Sequence, residues 1–410
     1  MAQEAWIIDA ARTPRGIGKP GKGALAHLHP QHLLATVLQA IESRNNLNTA
    51  DVDDIIMGCS SQRGVQGNDI ARMSALAAGW HNNASGVTLD RFCGSGITSV
   101  NMAAASIMSG MEDVVVAGGV EMMSLFGNLD MPMVMDNGNL ALREIHPQPH
   151  QGVCADVIAT LENISREETD RLALQSQQRA AQAIAEGRFD RSLVAVKNLD
   201  GSIALDREEF PRPETTAEGL AQLQASFPKV MDFPLDETGV TFRQLVQKTY
   251  PDLEVNHIHH AGNSSGVVDG AAALLITSPD YARAQGWKPR ARIKAMANVG
   301  DSPELMLNGP VPAAKKVLKK AGMTTADIDL FEINEAFAVV AAKFIRDLEL
   351  DEAKVNVNGG AMALGHPIGA TGSVLIGTIL DELERSDKTT GLVTMCAAGG
   401  MAPAIIIERF

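Results

Sequence analysis

Apolar, β-branched runs alternate along the chain with segments of helical period. AWIIDA (5–10) reads as a buried strand, residues around 30–45 as a helix and DDIIMG (53–58) as a second strand. A helix around 94–110 and a third strand, DVVVAGG (113–119), follow. From about residue 285 the order begins again. ARIKAMANVG reads as a strand, PVPAAKKVLKKAG as a helix stopped by glycine, and DIDLFEIN as a strand. HPIGATGSVLIGTILDELE is a further helix, and TTGLVTMCAAGG and PAIIIERF close the sheet. Strands separated by helices predict an α/β fold with a mostly parallel sheet.

The second series echoes the first. TADVDDII at 49–56 resembles TADIDLFE at 325–332, an offset of 276 in the numbering. VVVAGG at 114–119 falls opposite VTMCAAGG at 393–400, an offset of 281. Two similarities at nearly one offset, in matching order, predict a duplicated unit. Between the copies, roughly 122–250 is rich in Met, Pro, Glu and Gln. It contains one strong helix, ISREETDRLALQSQQRAAQAIAEG, with Ser165 and Glu168 as a capping box and Gly187 as its stop. The expected organisation is a first half over 1–121, completed by about 255–280, an inserted lobe over the site at 122–254, and a second half over 281–410.

Composition narrows the class. The 410 residues are 45% hydrophobic and 20% charged, ordinary for a globular protein with a sizeable core. No apolar run reaches the roughly 18 residues needed to span a bilayer. MAQEAWIIDAARTP lacks the basic-then-apolar pattern of a secretory signal, so a cytoplasmic location and no membrane partner are expected. A formal charge of −14 argues against nucleic acid. An anionic small substrate would need a local basic patch, which the sequence does not locate. Cys59, Cys93, Cys154 and Cys396 are widely spaced with no CxxC pair, which predicts free thiols. Cys59 and Cys154 read as small buried hydrophobes.

The other two cysteines have surroundings that packing does not explain. RFCGSGITSVNMAAASIMSG (91–110) puts Cys93 before a small-residue turn that opens a helix. Unpaired N–H groups and the helix dipole there favour a thiolate, which predicts a lowered pKa, while Gly94 and Gly96 let a substrate approach the backbone. GHPIGATG (365–372) occupies the corresponding place in the second half, since the offset of 276 carries Cys93 to position 369. His366 is thereby a candidate base or oxyanion donor for Cys93. CAAGG (396–400) ends a strand with a second thiol, suited to proton transfer. In NEAFA (334–338) Asn334 can orient a water or carbonyl, and Glu335 can tie loops together. HIHH (257–260) has no Cys or carboxylate at metal-site spacing, so no metal is expected and it reads as a loop or strand edge lining the pocket.

Cys93 in RFCGSG, NEAFA at 334, NGGAMALGHPIGATG at 358–372 and the late Cys396, in that order, resemble the thiolase family. The resemblance covers nearly the whole chain. It implies the thiolase fold: two duplicated βαβαβαββ halves in a five-layered α-β-α-β-α core with an inserted loop domain. It also implies an acyltransferase that cleaves 3-oxoacyl-CoA with coenzyme A, or runs the reverse Claisen condensation of acetyl-CoA. Cys93 is then the acylated nucleophile, Cys396 the acid/base, and His366, with a water held by Asn334, an activator of Cys93 and an oxyanion hole. The N–H groups of Cys93 and Ala398 form a second hole. Ser265 contacts the pantetheine arm, and Gln151, Gln224 and Phe337 fall at substrate or coenzyme positions. No permanent cofactor is implied; acyl-CoA and coenzyme A are the partners, and assembly as a homodimer or homotetramer is expected. Asp90, Ala398, Gln151, Gln222, Gln224 and His260 depart from the family pattern, which leaves open an enzyme for a bulky or unusual 3-oxoacyl-CoA. A catalytically silent acyl-CoA-binding homologue is the remaining alternative.

Overall fold

The computed structural model describes residues 3–126 and 134–410. The first half runs β1 (Trp6–Arg12), α1 (Pro30–Asn45), β2 (Asp54–Gly58), α2 (Ile70–Ala77), β3 (Val87–Leu89), α3 (Ser95–Ser109) and β4 (Val114–Met122). After intervening segments that include α4 (Gln151–Leu161) and α5 (Arg166–Ala185), β5 (Val268–Thr277) completes it. The second half runs β6 (Ala291–Gly300), α6 (Pro310–Ala321), β7 (Leu330–Ile333), α7 (Ala338–Asp347), α8 (Ile368–Arg385), β8 (Thr390–Thr394) and β9 (Met401–Glu408). Ser165 caps α5 by accepting from Glu168 N, and only that forward half of the expected box forms. Among the described residues no helix is long and apolar enough to cross a membrane.

The strands join in the order β7-β8-β9-β6-β1-β5-β4-β2-β3. The sheet is mixed, which corrects the expectation of a mostly parallel one. Only β7–β8, β2–β4 and β2–β3 pair in parallel. The last strand of each half, β5 or β9, pairs antiparallel with its predecessor. The halves meet edge to edge through the short pairing of Trp6 with Arg292 and Ile7 with Ala291.

The duplication holds at the level of single bonds. Pairing of β2 with β4 sets Asp54 opposite Val115, and pairing of β7 with β8 sets Leu330 opposite Gly391, each partner displaced by 276. Asp53 accepts from the N–H groups of Asp113 and Val114. Asp329 accepts from those of Thr389 and Thr390, the same displacement again. The true counterpart of VVVAGG is therefore TGLVTM (390–395), and the sequence-level offset of 281 is corrected to 276.

Five layers follow from the packing. One core joins the first-half sheet to α1 and α2, through Leu34, Leu38, Ile70, Val116 and Leu275. Another joins the second-half sheet to α6 and α7, through Val317, Phe331, Phe344 and Ile406. Between the sheets, Ile97, Val100 and Ile107 of α3 pack with Leu375, Ile379 and Leu383 of α8, and strands of both halves cover them. α8 is buried without interruption from Gly369 to Leu383, as a helix sandwiched between two sheets must be.

The two central helices cross at their N-terminal turns, at backbone distance. A Cβ on Gly372 would lie 2.2 Å from Ile97 N, and one on Gly96 would lie 2.8 Å from Ser373 N. These glycines are equivalent positions of the two halves, so they mark the pseudo-twofold axis. Ser373 Oγ donates to Gly96 O across the crossing at 3.0 Å. Gly372→Ala is expected to cost about 3 kcal/mol or more in stability, because main chain cannot yield to it. Gly377→Ala, whose Cβ would meet only Ala10 Cβ at 3.4 Å, is expected to be neutral or stabilising by up to about 1 kcal/mol. Chemical denaturation of the two variants checks this contrast.

Candidate active site

β3 leads directly into the turn that presents Cys93. Phe92 stands in the left-handed region at φ 49, a strained conformation for a bulky residue. Three bonds hold it there. Asp90 Oδ1 accepts from Phe92 N at 2.6 Å, Ser95 Oγ accepts from Arg91 N at 2.8 Å, and the same hydroxyl donates to Phe92 O at 2.6 Å. Asp90, a departure from the family pattern, thus serves as the cap of this turn. Cys93 is left partly exposed, one residue before the Gly94 cap of α3.

A narrow cavity of about 60 Å³ opens on Cys93 and brings the expected segments together. Ile368, two residues after His366, and Ala398, two residues after Cys396, line it with Cys93. His150, Gln151 and Met135 line it as well. A Cβ on Gly94 would touch Ala397 Cβ at 3.4 Å, so the segments that carry the two thiols are in contact. The N–H groups of Cys93 and Ala398 donate to no carbonyl among the described residues. Alanine at 398 costs no backbone freedom, since the left-handed residues of this loop are Gly399 and Gly400, both at φ 74.

Protonation is set by burial. The Cys93 thiol is pushed well above its ordinary range, first by desolvation and then by the neighbouring Cys396. This overturns the expectation of a lowered value: the helix start does not compensate for loss of water. Burial also raises the Cys396 thiol, to about 12, and lowers His366 to about 4. The imidazole is therefore neutral. Its Nδ1 lies 2.5 Å from Thr371 Oγ1, and that hydroxyl donates to Pro367 O at 3.0 Å. The hydroxyl proton being so engaged, Nδ1 carries the ring proton and Nε2 is bare. Nε2 is buried without a partner among the described residues. The amide of Asn334 is likewise fully buried with both its oxygen and its nitrogen unpartnered. Buried polar atoms left without partners in this way mark places where a water or a ligand can complete the bonding.

Two residues that sequence reasoning left without a role build the frame. Thr371 fixes the tautomer of His366. Glu121 is fully buried on β4 and accepts from the N–H groups of Ser60 and Ser61, the amide of Gln66 and the N–H of Gly369. One carboxylate thus joins the loop after β2 to the first turn of α8. Glu121 lies in AGGVEMMS, where an acid interrupting an apolar strand was the available signal. Glu335 ties loops, accepting from Ser176 Oγ, Asn356 Nδ2 and Met362 N.

Other expected site residues lie apart from this cavity. Phe337 is buried against Phe227 and His259, with ring centroids 5.9 and 5.6 Å away. Ser265 donates its N–H to Ala336 O. Gln224 is exposed. HIHH is a loop that does not line the pocket, because carboxylates engage its histidines. His257 and His259 both bind Asp156 of α4, at 2.6 and 2.8 Å, and His260 binds Asp170 of α5 at 2.8 Å. A second cavity, of about 200 Å³, lies over Ala261, Gly262 and Met362, with Phe210 and Arg212 in its wall.

The family profile described as Thiolase, N-terminal domain matches residues 5–230, and that described as Thiolase, C-terminal domain matches residues 287–409. The chain belongs to the thiolase family. It is 40% identical to the steroid 3-ketoacyl-CoA thiolase FadA6 of Mycobacterium tuberculosis, over 99% of this chain and 94% of that protein. It is also 40% identical to the 3-oxoadipyl-CoA/3-oxo-5,6-dehydrosuberyl-CoA thiolase of Escherichia coli, over 99% of this chain and all of that one. Among solved structures, human mitochondrial 3-ketoacyl-CoA thiolase in complex with CoA superposes with a TM-score of 0.85 at 32% identity. That match covers 100% of this thiolase chain and 99% of the human one.

Both shifts favour the neutral thiol–imidazole pair in the free enzyme. Alkylation of Cys93 by iodoacetamide is therefore expected to climb about tenfold per pH unit up to about pH 9. A plateau or shoulder near pH 6.5 would instead report a preformed thiolate–imidazolium pair.

Proposed function

We propose that this thiolase cleaves a 3-oxoacyl-CoA with coenzyme A, giving acetyl-CoA and an acyl-CoA two carbons shorter, through an acyl-Cys93 intermediate. His366 Nε2 takes the Cys93 proton as Sγ bonds to C3 of the substrate. The C2–C3 bond breaks with its electron pair on C2, forming the acetyl-CoA enolate, and the Cys396 thiol protonates that carbon. Coenzyme A then loses its thiol proton to Cys396, attacks the acyl-Cys93 carbonyl and releases Sγ, which regains its proton from His366. The reverse sequence condenses two acetyl-CoA.

The observation that carries this reading is the neutral, tautomer-fixed imidazole of His366, with Nε2 buried and unpartnered, in a segment that shares a cavity with Cys93 and Ala398. Once protonated, Nε2 donates to the thioester oxygen together with a water held by Asn334, while the free N–H groups of Cys93 and Ala398 receive the C3 oxygen. A thiol held near 12 keeps its proton until the enolate arrives, which suits Cys396 as the donor. The second cavity, between the AGNSSG loop and Met362, is read as the approach of the pantetheine arm, with Arg212 as a phosphate partner in place of the basic residues missing at Gln222 and Gln224. Residues 122–254 act as the lobe that covers the cleft, supplying Met135, His150 and Gln151.

Incubation with acetyl-CoA and weighing of the intact protein should reveal an acetyl adduct that Cys93→Ala lacks. His366→Ala and Asn334→Ala are expected to lower kcat for thiolysis by about 10²–10⁴-fold and 10²–10³-fold. Acylation undiminished in Cys93→Ala would remove the assignment.

The same reading places the enzyme in the cytoplasm as a homodimer or homotetramer. The edge strand β3, with Val87 exposed, supports lateral pairing of two copies. Light scattering should return two or four times the chain mass of 43.5 kDa, and a monomer would contradict this.

A further inference from the structure

The Cys93 cavity adjoins a larger one. Ser60 and Phe92 line both, and the larger space measures about 650 Å³. It has no lining residue in common with the cavity over Gly262 and Met362. The small chamber around Cys93 is walled mainly by apolar side chains, including Met135, Met306 and Ile368. The larger one is the neighbouring space for an acyl tail attached at Cys93 and too long for that chamber.

The larger cavity holds two arginines in different states. Arg143 is spent: Asp136 and Asp236 both bind it, at 2.7 and 2.8 Å. Arg63 is not. Among the described residues its guanidinium makes no hydrogen bond or ion pair, and it stacks on the Phe126 ring at 4.5 Å. Stacking holds the face of the guanidinium and leaves its N–H edge free, the geometry that receives a carboxylate with two parallel bonds. Asp90, the other acid in the wall, already accepts from Phe92 N. In a chain of net charge −14, an exposed arginine without a partner among the described residues, in the wall of a cavity that adjoins the nucleophile's, is a local basic spot for an anionic substrate.

We propose that the preferred substrates of this thiolase are 3-oxoacyl-CoA thioesters whose acyl tail ends in a carboxylate, and that Arg63 receives that carboxylate beyond Phe92. The inference rests on the thiolase reading above and deepens it. The coenzyme also carries anionic groups, its phosphates, and the shared chemistry is an oxyanion on Arg63. A matched pair of substrates separates the two sources, since both bring the same coenzyme.

The experiment compares thiolysis of 3-oxohexanoyl-CoA and 3-oxoadipyl-CoA, which have six acyl carbons and differ in the terminal carboxylate. The wild type is expected to favour the acid by about tenfold or more in kcat/KM. Arg63→Gln should lower that value by about 10–100-fold for the acid and by less than about twofold for the neutral chain, with Arg63→Lys in between. An equal loss on both esters would assign Arg63 to the coenzyme and overturn the proposal. A wild-type preference for the neutral chain would overturn it too. Cys93 acylation by acetyl-CoA is measured alongside. An adduct without a carboxylate preference sinks only this inference, whereas no adduct and no thiolysis of either ester sinks the thiolase reading itself.

Discussion

Two helix starts that touch through main chain alone hold this molecule together. At Gly96 and Gly372 there is no room for a side chain, and the distance at which α3 crosses α8 follows from that. Everything that faces the cleft hangs from these two turns. Cys93 precedes one and His366 precedes the other, and a shift of either helix would move the nucleophile relative to its base. The crossing is reinforced by polar groups unusual for so deep a location: Ser373 Oγ to Gly96 O, and Glu121 to the N–H of Gly369. Each is satisfied, so each adds direction without the penalty of an unpaired buried group.

The electrostatic condition of the cleft follows from the same burial. Desolvation keeps both thiols protonated and the imidazole neutral. The resting site stores no charge. A reactive thiolate at rest would oxidise or alkylate indiscriminately, whereas a neutral pair ionises only when a carbonyl is in place to accept the electrons. Thr371 matters here out of proportion to its size, because it determines which imidazole nitrogen carries the proton.

Much of this could be read from residue order. Hydrophobic period placed β1, α1, α3 and β6 within a residue or two, and the TAD repeats revealed the duplication. What escaped has physical reasons. Strand direction depends on how the last strand of each half returns, and local pattern is blind to that. The second echo was mis-registered because VVVAGG and CAAGG resemble each other through glycine, while the register is set by the Asp53 and Asp329 clamps. The lowered pKa expected for Cys93 weighed the helix dipole without the surrounding desolvation. HIHH resembled a pocket lining, whereas Asp156 and Asp170, far upstream in the chain, engage it. Arg63 carried no motif at all; its stacking on Phe126, with no ion pair among the described residues, is visible only in three dimensions.

The constant displacement between the halves invites a question about number. A symmetric scaffold offers two equivalent nucleophile positions, 93 and 369, on either side of the axis. The second is closed: at Gly369 even a methyl group would lie 2.7 Å from Cys59 Cα and from Gly58 O. The architecture is two-fold and the chemistry is single. An ancestral pair of identical halves would have had two rival clefts competing for the same central helices. Backbone fills the second position, so each chain turns over one thioester at a time.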